Sequence, residues 1–288
     1  MILTIKPREQ ELRHAGELDG RFDQNDPRKA SFDFAQVDID LRDCCFIGPP
    51  AVLWVLVYLA LAAKRGSKCR LLVPTNLGVC AHLKALGLFT VLKGRGVEVD
   101  DSDIREGRNP KVVLPITSFA TTAEAAALTN TAFEGLSRAN LGAVNLTSVV
   151  AELFSELAMN ASQHSASEVG AFGCVQFFDS EHGPRFVCAV ADGGMGVREH
   201  LCRNESLRSR VSYDWDALEL AVRERVSGTG DPHRGIGLFG VSEDVRKPGR
   251  SLLLHSGLGL LQITEDLESS ARRTRLFPGT VACLSIPA

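Results

Sequence analysis

The sequence predicts an α/β protein built from two units, residues 1–108 and 109–288. In the first unit, strand-like and helix-like apolar stretches alternate, which is typical of parallel strands joined by helices. The second unit opens with two amphipathic helical stretches and continues with apolar strands, a pattern that favours helices layered on a sheet. Between the units, residues 105–110 are polar and contain Gly107 and Pro110, which indicates a linker.

Each element of the first unit follows from its local pattern. Residues 37–41 alternate apolar and polar side chains as a half-buried strand does, and Gly66 and Gly87 stand where helices should end. The predicted elements are strands at 1–7, 37–41 and 69–74, a Gly-Pro turn at 46–50, and helices at 51–64 and 77–86.

Composition and residue patterns argue against several classes of protein. Residues 46–63 are apolar and uncharged, but a Gly-Pro-Pro sequence at 48–50 interrupts the run, so we expect a buried core helix and not a membrane span. The first residues do not resemble a signal peptide, and the eight cysteines form no Cys-x-x-Cys pair, so we expect a reduced, cytoplasmic protein without a zinc site. The net charge of −3, without a long basic run, argues against a nucleic-acid surface.

The second unit begins with a helix signal. Thr121 and Glu124 have the spacing of a capping box, which predicts a helix that runs to about Asn140, with Gly142 beyond its end. The further predicted elements are a helix at about 147–164, strands at 170–178 and 185–191, and apolar strand-like stretches at 251–255, 259–265 and 280–286.

The first chemical motif lies on the second of these helices, at residues 156–164. Glu156, Asn160 and His164 are four residues apart and therefore form one stripe along the helix. An Asn carbonyl is a suitable neutral ligand for Mg²⁺, which keeps several waters and binds phosphate oxygens. A carboxylate one turn earlier can orient or deprotonate a water or a hydroxyl. The alternative is an ordinary amphipathic helix with exposed polar groups.

A second motif, residues 192–196, follows an apolar strand. Asp192 ends that strand, and its ionised carboxylate can only accept hydrogen bonds, which suits the donor amino group of adenine. Gly194 and Gly196 remove side chains where the backbone must turn and approach a ligand. The alternative is a glycine-rich loop without a ligand.

A third motif, residues 234–238, precedes an apolar and helical stretch that runs through Val241. Backbone N–H groups at such a helix start, around Gly235 and Gly237, can bind an anion. The motif is neither a Walker loop nor a dinucleotide-binding fingerprint, because the residues that those patterns require do not follow. The connection at 197–233 is rich in Arg, and connections of about this length are uncommon unless they are functional or mobile.

In this order, the three motifs resemble those of the GHKL ATPases, a superfamily that includes gyrase-type ATPases, histidine kinases and anti-sigma-factor kinases. The resemblance covers about 180 residues. It implies a Bergerat-fold α/β sandwich that binds ATP and Mg²⁺, with an ATP lid at about 197–234. It also implies that Glu156 is a general base, that Asn160 binds the metal, and that His164 stands on the phosphate side.

The same resemblance assigns roles to the other motif residues. Asp192 would read adenine, with Gly194 and Gly196 in the family's glycine pattern and the Thr280 hydroxyl beside the base. The phosphates would bind at the third motif, which matches the second glycine-rich segment of the family and comprises Arg234, Gly235, Gly237 and Leu238. The lid offers six candidates for a further phosphate contact, of which we favour Arg234: Arg203, Arg208, Arg210, Arg223, Arg225 and Arg234.

The first unit resembles, more weakly, a STAS domain, which is the fold of anti-sigma-factor antagonists. In that family one strand ends in a turn whose Ser can accept phosphate. Residues 48–51 stand at that place here, and none of them carries a hydroxyl. The resemblance therefore implies a STAS-like regulatory or docking unit that is not phosphorylated at this turn.

These resemblances imply an ATP-dependent regulator of a protein partner and leave three classes open. The motif spacing and the STAS-like neighbour favour a serine/threonine protein kinase-like enzyme or an ATPase switch. A histidine kinase needs a phosphoacceptor His on a helical hairpin before the ATP domain, and residues 121–145 contain no His. The third class is a nucleotide-gated interaction module with little or no hydrolysis. Whether two chains pair stays open.

Overall fold

The computed structural model describes residues 1–18, 20, 23–102, 104, 112–139, 144–180, 183–223, 226, 228, 237–265 and 270–288. The predicted linker at 105–110, as well as Gly142, Arg225, Arg234 and Gly235, lies outside this set. The described residues form helices together with one parallel and one antiparallel main sheet, so the predicted α/β class is confirmed.

The first main sheet is parallel and comes entirely from the amino-terminal part. Its strands lie in the order β1 (Ile2–Ile5), β3 (Gln36–Asp40), β5 (Lys68–Leu72) and β6 (Glu98–Val99). A small ladder joins β2 (Glu11–Leu12) to β4 (Phe46–Ile47). The helices of this part are α1 (Pro49–Lys64), α2 (Leu77–Ala85) and α3 (Leu88–Lys93). The sequence predicted all of these elements except the short β2, β4, β6 and α3.

Helix α1 is apolar all round, and its position explains why. Two prolines begin the helix, where their missing N–H groups cost no hydrogen bond, and Gly66 follows its end with a φ of +90°. Fourteen of its sixteen residues are buried, as expected for a helix with protein on every side. Among the described residues, no helix combines the length and apolarity that crossing a membrane requires.

The second main sheet is antiparallel, with strands in the order β10 (Ser251–Thr264), β11 (Ala271–Pro287), β9 (Gly183–Asp192), β8 (Ala171–Ser180) and β7 (Val112–Phe119). Helices α4 (Thr122–Ala139) and α5 (Val144–His164) pack on one face. The predicted capping box is present, because Thr121 N donates to the Glu124 carboxylate and Glu124 N donates to the Thr121 hydroxyl.

The central strand β9 is buried on both faces. Cys188 and Val190 point into the core shared with α5, whereas Val187, Ala189 and Ala191 join the core around α1. Helix α1 therefore lies between the two main sheets, and the buried Trp54 indole donates to Leu276 O on β11 at 3.0 Å. Each main sheet draws its strands from one side of residues 105–110, but the two parts share one hydrophobic core.

The largest differences between the predicted and observed strands are in the antiparallel sheet. Strand β7 was not predicted, because Pro115 interrupts its apolar run; it lies at the edge of the sheet, where a missing N–H is tolerated. The stretches predicted separately at 251–255 and 259–265 form one strand, β10, whose register shifts near Gly257. Strand β11 begins at Ala271, so the start predicted for the last strand, residue 280, was wrong and Thr280 lies within the strand.

Candidate functional site

A cleft with a cavity volume of about 160 Å³ opens between the carboxyl-terminal half of α5 and the sheet. Two short helices, α6 (Gly196–Cys202) and α9 (Gly237–Asp244), form other parts of its wall. Seven of the residues predicted for the site line this cleft: Asn160, His164, Asp192, Gly196, Gly237, Leu238 and Thr280.

Helix α5 supplies one wall through the predicted stripe. Leu157 and Ala161 turn their apolar side chains to the cleft, and Asn160 and His164 stand beside them. The Asn160 Nδ2 atom is buried and has no hydrogen-bond partner in the described part of the chain. An unpartnered buried amide is costly unless a ligand completes it, so Asn160 marks a polar contact point in the cleft.

Glu156 stands one turn before Asn160 and is exposed. Its Oε2 lies so close to Gly237, the first residue of α9, that a side chain on Gly237 would collide with it. A carboxylate at the start of a helix is favoured by the helix dipole. The structure therefore brings the first and third motifs together at this point, although Gly235 of the third motif is not among the described residues.

Asp192 ends the central strand β9 and faces the cleft from the sheet. Only 5% of the residue is exposed. Burial raises the pKa of its carboxyl to about 7, against the opposing effects of the Gly194 N–H, the Arg28 guanidinium and the Thr280 backbone. The Gly194 N–H donates to Asp192 Oδ1 at 2.8 Å. Asp192 is thus a buried carboxyl that changes charge near neutral pH.

The glycines of the second motif serve the protein's own packing. A Cβ on Gly194 would lie 2.9 Å from Ser165 Cα and closer still to the Ser165 carbonyl group, just after α5 ends. Met195 N also donates to Ser165 O at 2.9 Å. The structure shows that Gly194 makes room for the backbone of Ser165, and its expected role toward a ligand stays a prediction. Gly196 has a φ of +81°, a conformation that favours glycine.

Ser256 on β10 fixes the exit of this loop and was missed by the sequence analysis. Its hydroxyl accepts from Val197 N and donates to Gly279 O, both at 2.9 Å. The same oxygen lies 3.2 Å from the Thr280 hydroxyl. Thr280 pairs with Asp192 across β11 and β9, which places the two predicted adenine-side residues next to each other.

His200 on α6 is a further lining residue that the sequence analysis missed. Its ring lies against the His164 ring, with centroids 4.6 Å apart and planes at 41°. It follows Gly196 by four residues, so a helix assigned directly after the second motif would have placed it on the cleft side.

The predicted lid region is largely helical where it is described. After α6 come α7 (Glu205–Arg208) and α8 (Asp214–Ala221), and these helices share a small apolar core. The Asp214 carboxylate accepts from Leu258 N at 2.8 Å, which ties α8 to β10. Of the six arginines named as candidates for a phosphate contact, the four that the structure describes do not line the cleft, and Arg225 and Arg234 are outside the described residues.

One arginine of the amino-terminal part reaches the second motif. Arg28 donates from Nη1 to Gly194 O at 2.8 Å, and its Nε and Nη2 bind the buried Asp26 carboxylate. Local sequence patterns could not reveal this contact, because Arg28 and Gly194 are 166 residues apart in the chain.

Comparison of the sequence with protein-family models and with curated proteins finds no match.

Proposed function

We propose that this chain binds Mg-ATP in the cleft and acts as a GHKL-type regulator of a protein partner. The observation that carries the proposal is the position of Asp192, a buried carboxyl at the end of the central strand. It faces a cleft whose helical wall presents the unpartnered amide of Asn160. A hydrogen-bond acceptor at one side and a possible metal or phosphate ligand at the other are the two groups that an adenine nucleotide requires.

The sheet side of the cleft suits an adenine ring. Val190, Leu254 and Ala282 give it an apolar floor from three neighbouring strands. Asp192 offers an acceptor for the amino group, and the Thr280 hydroxyl stands beside it. A mainly apolar pocket with few polar groups is typical of small-molecule sites, since the polar groups fix orientation and the apolar walls supply burial.

The α5 side suits magnesium and phosphate. Rotation of the Asn160 amide by 180° exchanges its oxygen and nitrogen, so the unpartnered position can equally present the carbonyl oxygen that Mg²⁺ prefers. The described residues contain no cluster of three or more His, Cys, Asp or Glu that could hold a metal by themselves. Asn160 would therefore share the ion with phosphate oxygens and water, as is usual for Mg²⁺. The start of α9 at Gly237 and Leu238 offers backbone N–H groups.

The reaction that we favour is phosphoryl transfer to a Ser or Thr of a protein partner, or to water. Bound ATP would supply the phosphoryl group, and Glu156 would accept the proton of the attacking hydroxyl. Its exposed position beside Gly237 leaves it accessible to a partner's side chain. We also propose that residues 1–108 form a STAS-like docking unit.

A nucleotide-gated interaction module is the second candidate. One observation favours it: Pro49 and Pro50, which stand where the STAS family carries its phosphoacceptor turn, are buried at the start of α1 and have no hydroxyl. The amino-terminal part then offers no acceptor at that turn, and nucleotide would control only the surface that a partner meets.

The identity of the base-reading residue is tested by Asp192→Asn. We expect Mg-ATP affinity, measured by calorimetry, to fall by roughly 5- to 150-fold, because the Asn amide can place a donor against the adenine amino group. In the wild type, affinity should rise about tenfold per pH unit below pH 7 and level off above it, because the carboxylate must be ionised to accept. The exposed Asp179 of β8 gives a matched control, Asp179→Asn, which should bind normally. Unchanged affinity in Asp192→Asn would exclude this assignment.

The roles on α5 are tested by two alanine variants. Asn160→Ala should weaken binding of Mg-ATP more than binding of ATP in EDTA, because its proposed role is at the metal. Glu156→Ala should keep Mg-ATP affinity but lower turnover by about 10²- to 10⁴-fold, the range for a lost general base. Glu152→Ala, an exposed residue one turn earlier on the same helix, is the control. Normal turnover in Glu156→Ala would place the base elsewhere, and a wild type without turnover alongside any partner would favour the gated module.

A further inference from the structure

The loop that carries Asp192 is held from two sides. On the α5 side, the backbone of Gly194 packs against Ser165 without space for a side chain. On the opposite side, the Gly194 carbonyl accepts from Arg28 Nη1 at 2.8 Å. The N–H of the same glycine donates to Asp192 Oδ1 at 2.8 Å. A single residue, Gly194, therefore connects the guanidinium of Arg28 to the carboxylate of Asp192.

Arg28 is itself held firmly. Its Nε and Nη2 donate to Asp26 Oδ1 and Oδ2 at 3.0 and 2.7 Å, and only 24% of the arginine side chain is exposed. A bidentate arginine–carboxylate pair has a fixed geometry, which leaves Nη1 aimed at the Gly194 carbonyl. Because Arg28 and Asp26 are only two residues apart, this geometry depends on the backbone of the segment at 23–29.

That segment is anchored to helix α1 and its end on one side and to strand β11 on the other. The Tyr58 hydroxyl of α1 donates to Asn25 O at 2.6 Å, and Arg65 donates from Nε to Pro27 O at 3.0 Å. On the other side, the Asp23 carboxylate accepts from Leu276 N at 3.0 Å and from the Arg275 guanidinium at 2.9 Å. Arg28 is consequently presented to the loop by a braced segment and not by a free chain.

We propose that Arg28 is a positioning residue for nucleotide binding, which fixes the Gly194 peptide and supplies a positive charge that favours the ionised form of Asp192. The inference rests on the proposed function, since it concerns how well Asp192 can accept from adenine. It adds that the amino-terminal part helps to hold the loop that carries Asp192, because Arg28 belongs to residues 1–108.

The electrostatic part of the argument follows from the surroundings of Asp192. Burial favours its neutral form, and Arg28 is the charged side chain that lowers the pKa of this carboxyl among the described residues. Two other titratable groups line the same cleft, His164 on α5 and His200 on α6. Both are retained in every variant below, so differences between variants report on the residue that is changed.

The test compares Arg28→Met and Arg28→Lys with Arg95→Met. Arg95 is a matched control, because it also joins the two parts by donating to a backbone carbonyl, Val169 O at 2.9 Å, and is not one of the groups that shift the pKa of Asp192. Two quantities are measured for each folded protein: the pKa of Asp192 by carboxyl carbon NMR without nucleotide, and Mg-ATP affinity at pH 6, 7 and 8.5.

We expect Arg28→Met to raise the pKa of Asp192 by about one pH unit and to weaken Mg-ATP binding roughly 5- to 20-fold at pH 7. The loss should shrink at pH 8.5, where most Asp192 is ionised in both proteins. Arg28→Lys, which keeps the charge, should leave the pKa nearly unchanged and bind within about threefold of wild type, and Arg95→Met should match wild type in both measurements.

Two results would overturn the inference: an unchanged Asp192 pKa in Arg28→Met, or equal and pH-independent losses in Arg28→Met and Arg95→Met. If Arg28→Met does not fold, Arg28→Lys decides, because an altered pKa in that charged variant contradicts the proposed effect of charge. If the wild type binds no Mg-ATP, the proposed function fails, whereas the NMR measurement still tests the contact between Arg28 and the Asp192 loop.

Discussion

Replacement of Gly194 by alanine is expected to destabilise the protein by about 3 kcal/mol and to abolish nucleotide binding. The new methyl carbon would fall 2.9 Å from Ser165 Cα and closer to the Ser165 carbonyl group, and both are backbone atoms that cannot rotate away. Overpacking of this kind costs typically about 1–3 kcal/mol, with the upper end expected where backbone must shift. Moving the loop also moves the Gly194 N–H away from Asp192.

Gly240→Ala provides the control for this variant. Gly240 lies within α9, its added Cβ would meet no atom within 4 Å, and alanine is favoured over glycine in a helix interior. We expect this variant to be as stable as wild type or slightly more stable. Chemical denaturation measures the stability of both variants, and calorimetry measures their affinity for Mg-ATP. A Gly194→Ala protein with wild-type stability and affinity would show that the loop can shift without cost, contrary to the packing described here.

The glycine motif also shows what a sequence pattern can and cannot predict. The spacing of Asp192, Gly194 and Gly196 after an apolar strand correctly predicted a tight loop, because turns and positive φ values are local properties. The partner of Gly194 is Ser165, which follows a different helix. No local pattern could identify which backbone approaches the glycine, so this packing contact was missed, and the role of Gly194 toward a ligand stays a prediction.

The same distinction applies to the rest of the cleft. The stripe on α5 was predictable because residues four apart share one helix face. Arg28 and Ser256 were missed because each acts through a single long-range hydrogen bond to the loop. Strand β7 was missed for a local reason, since Pro115 argues against a strand unless its place at the sheet edge is known.

The second large effect is expected from removing residues 1–108. The sequence predicts this part as a separate unit, but α1 packs on β9 and β11, two inner strands of the antiparallel sheet. Without it, the sheet would expose apolar side chains that are now buried, including Phe172, Val187, Ala189, Val281 and Phe277. Full burial of one large apolar side chain stabilises a protein by about 1.5–3 kcal/mol, and total stability is only about 5–15 kcal/mol. The fragment 109–288 should therefore not fold to a stable, ATP-binding state.

The matched control retains both parts of the chain and breaks only the peptide connection between them. A protease site placed within residues 105–110 allows the folded full-length protein to be cleaved, and the two pieces should stay associated because α1 remains between the sheets. Circular dichroism and size-exclusion chromatography then compare this nicked protein with fragment 109–288 expressed alone. A nicked complex that melts cooperatively, beside an isolated fragment that does not, is the expected result. An isolated fragment that folds and binds Mg-ATP with full affinity would contradict it, and would show that neither α1 nor Arg28 is needed to build the cleft.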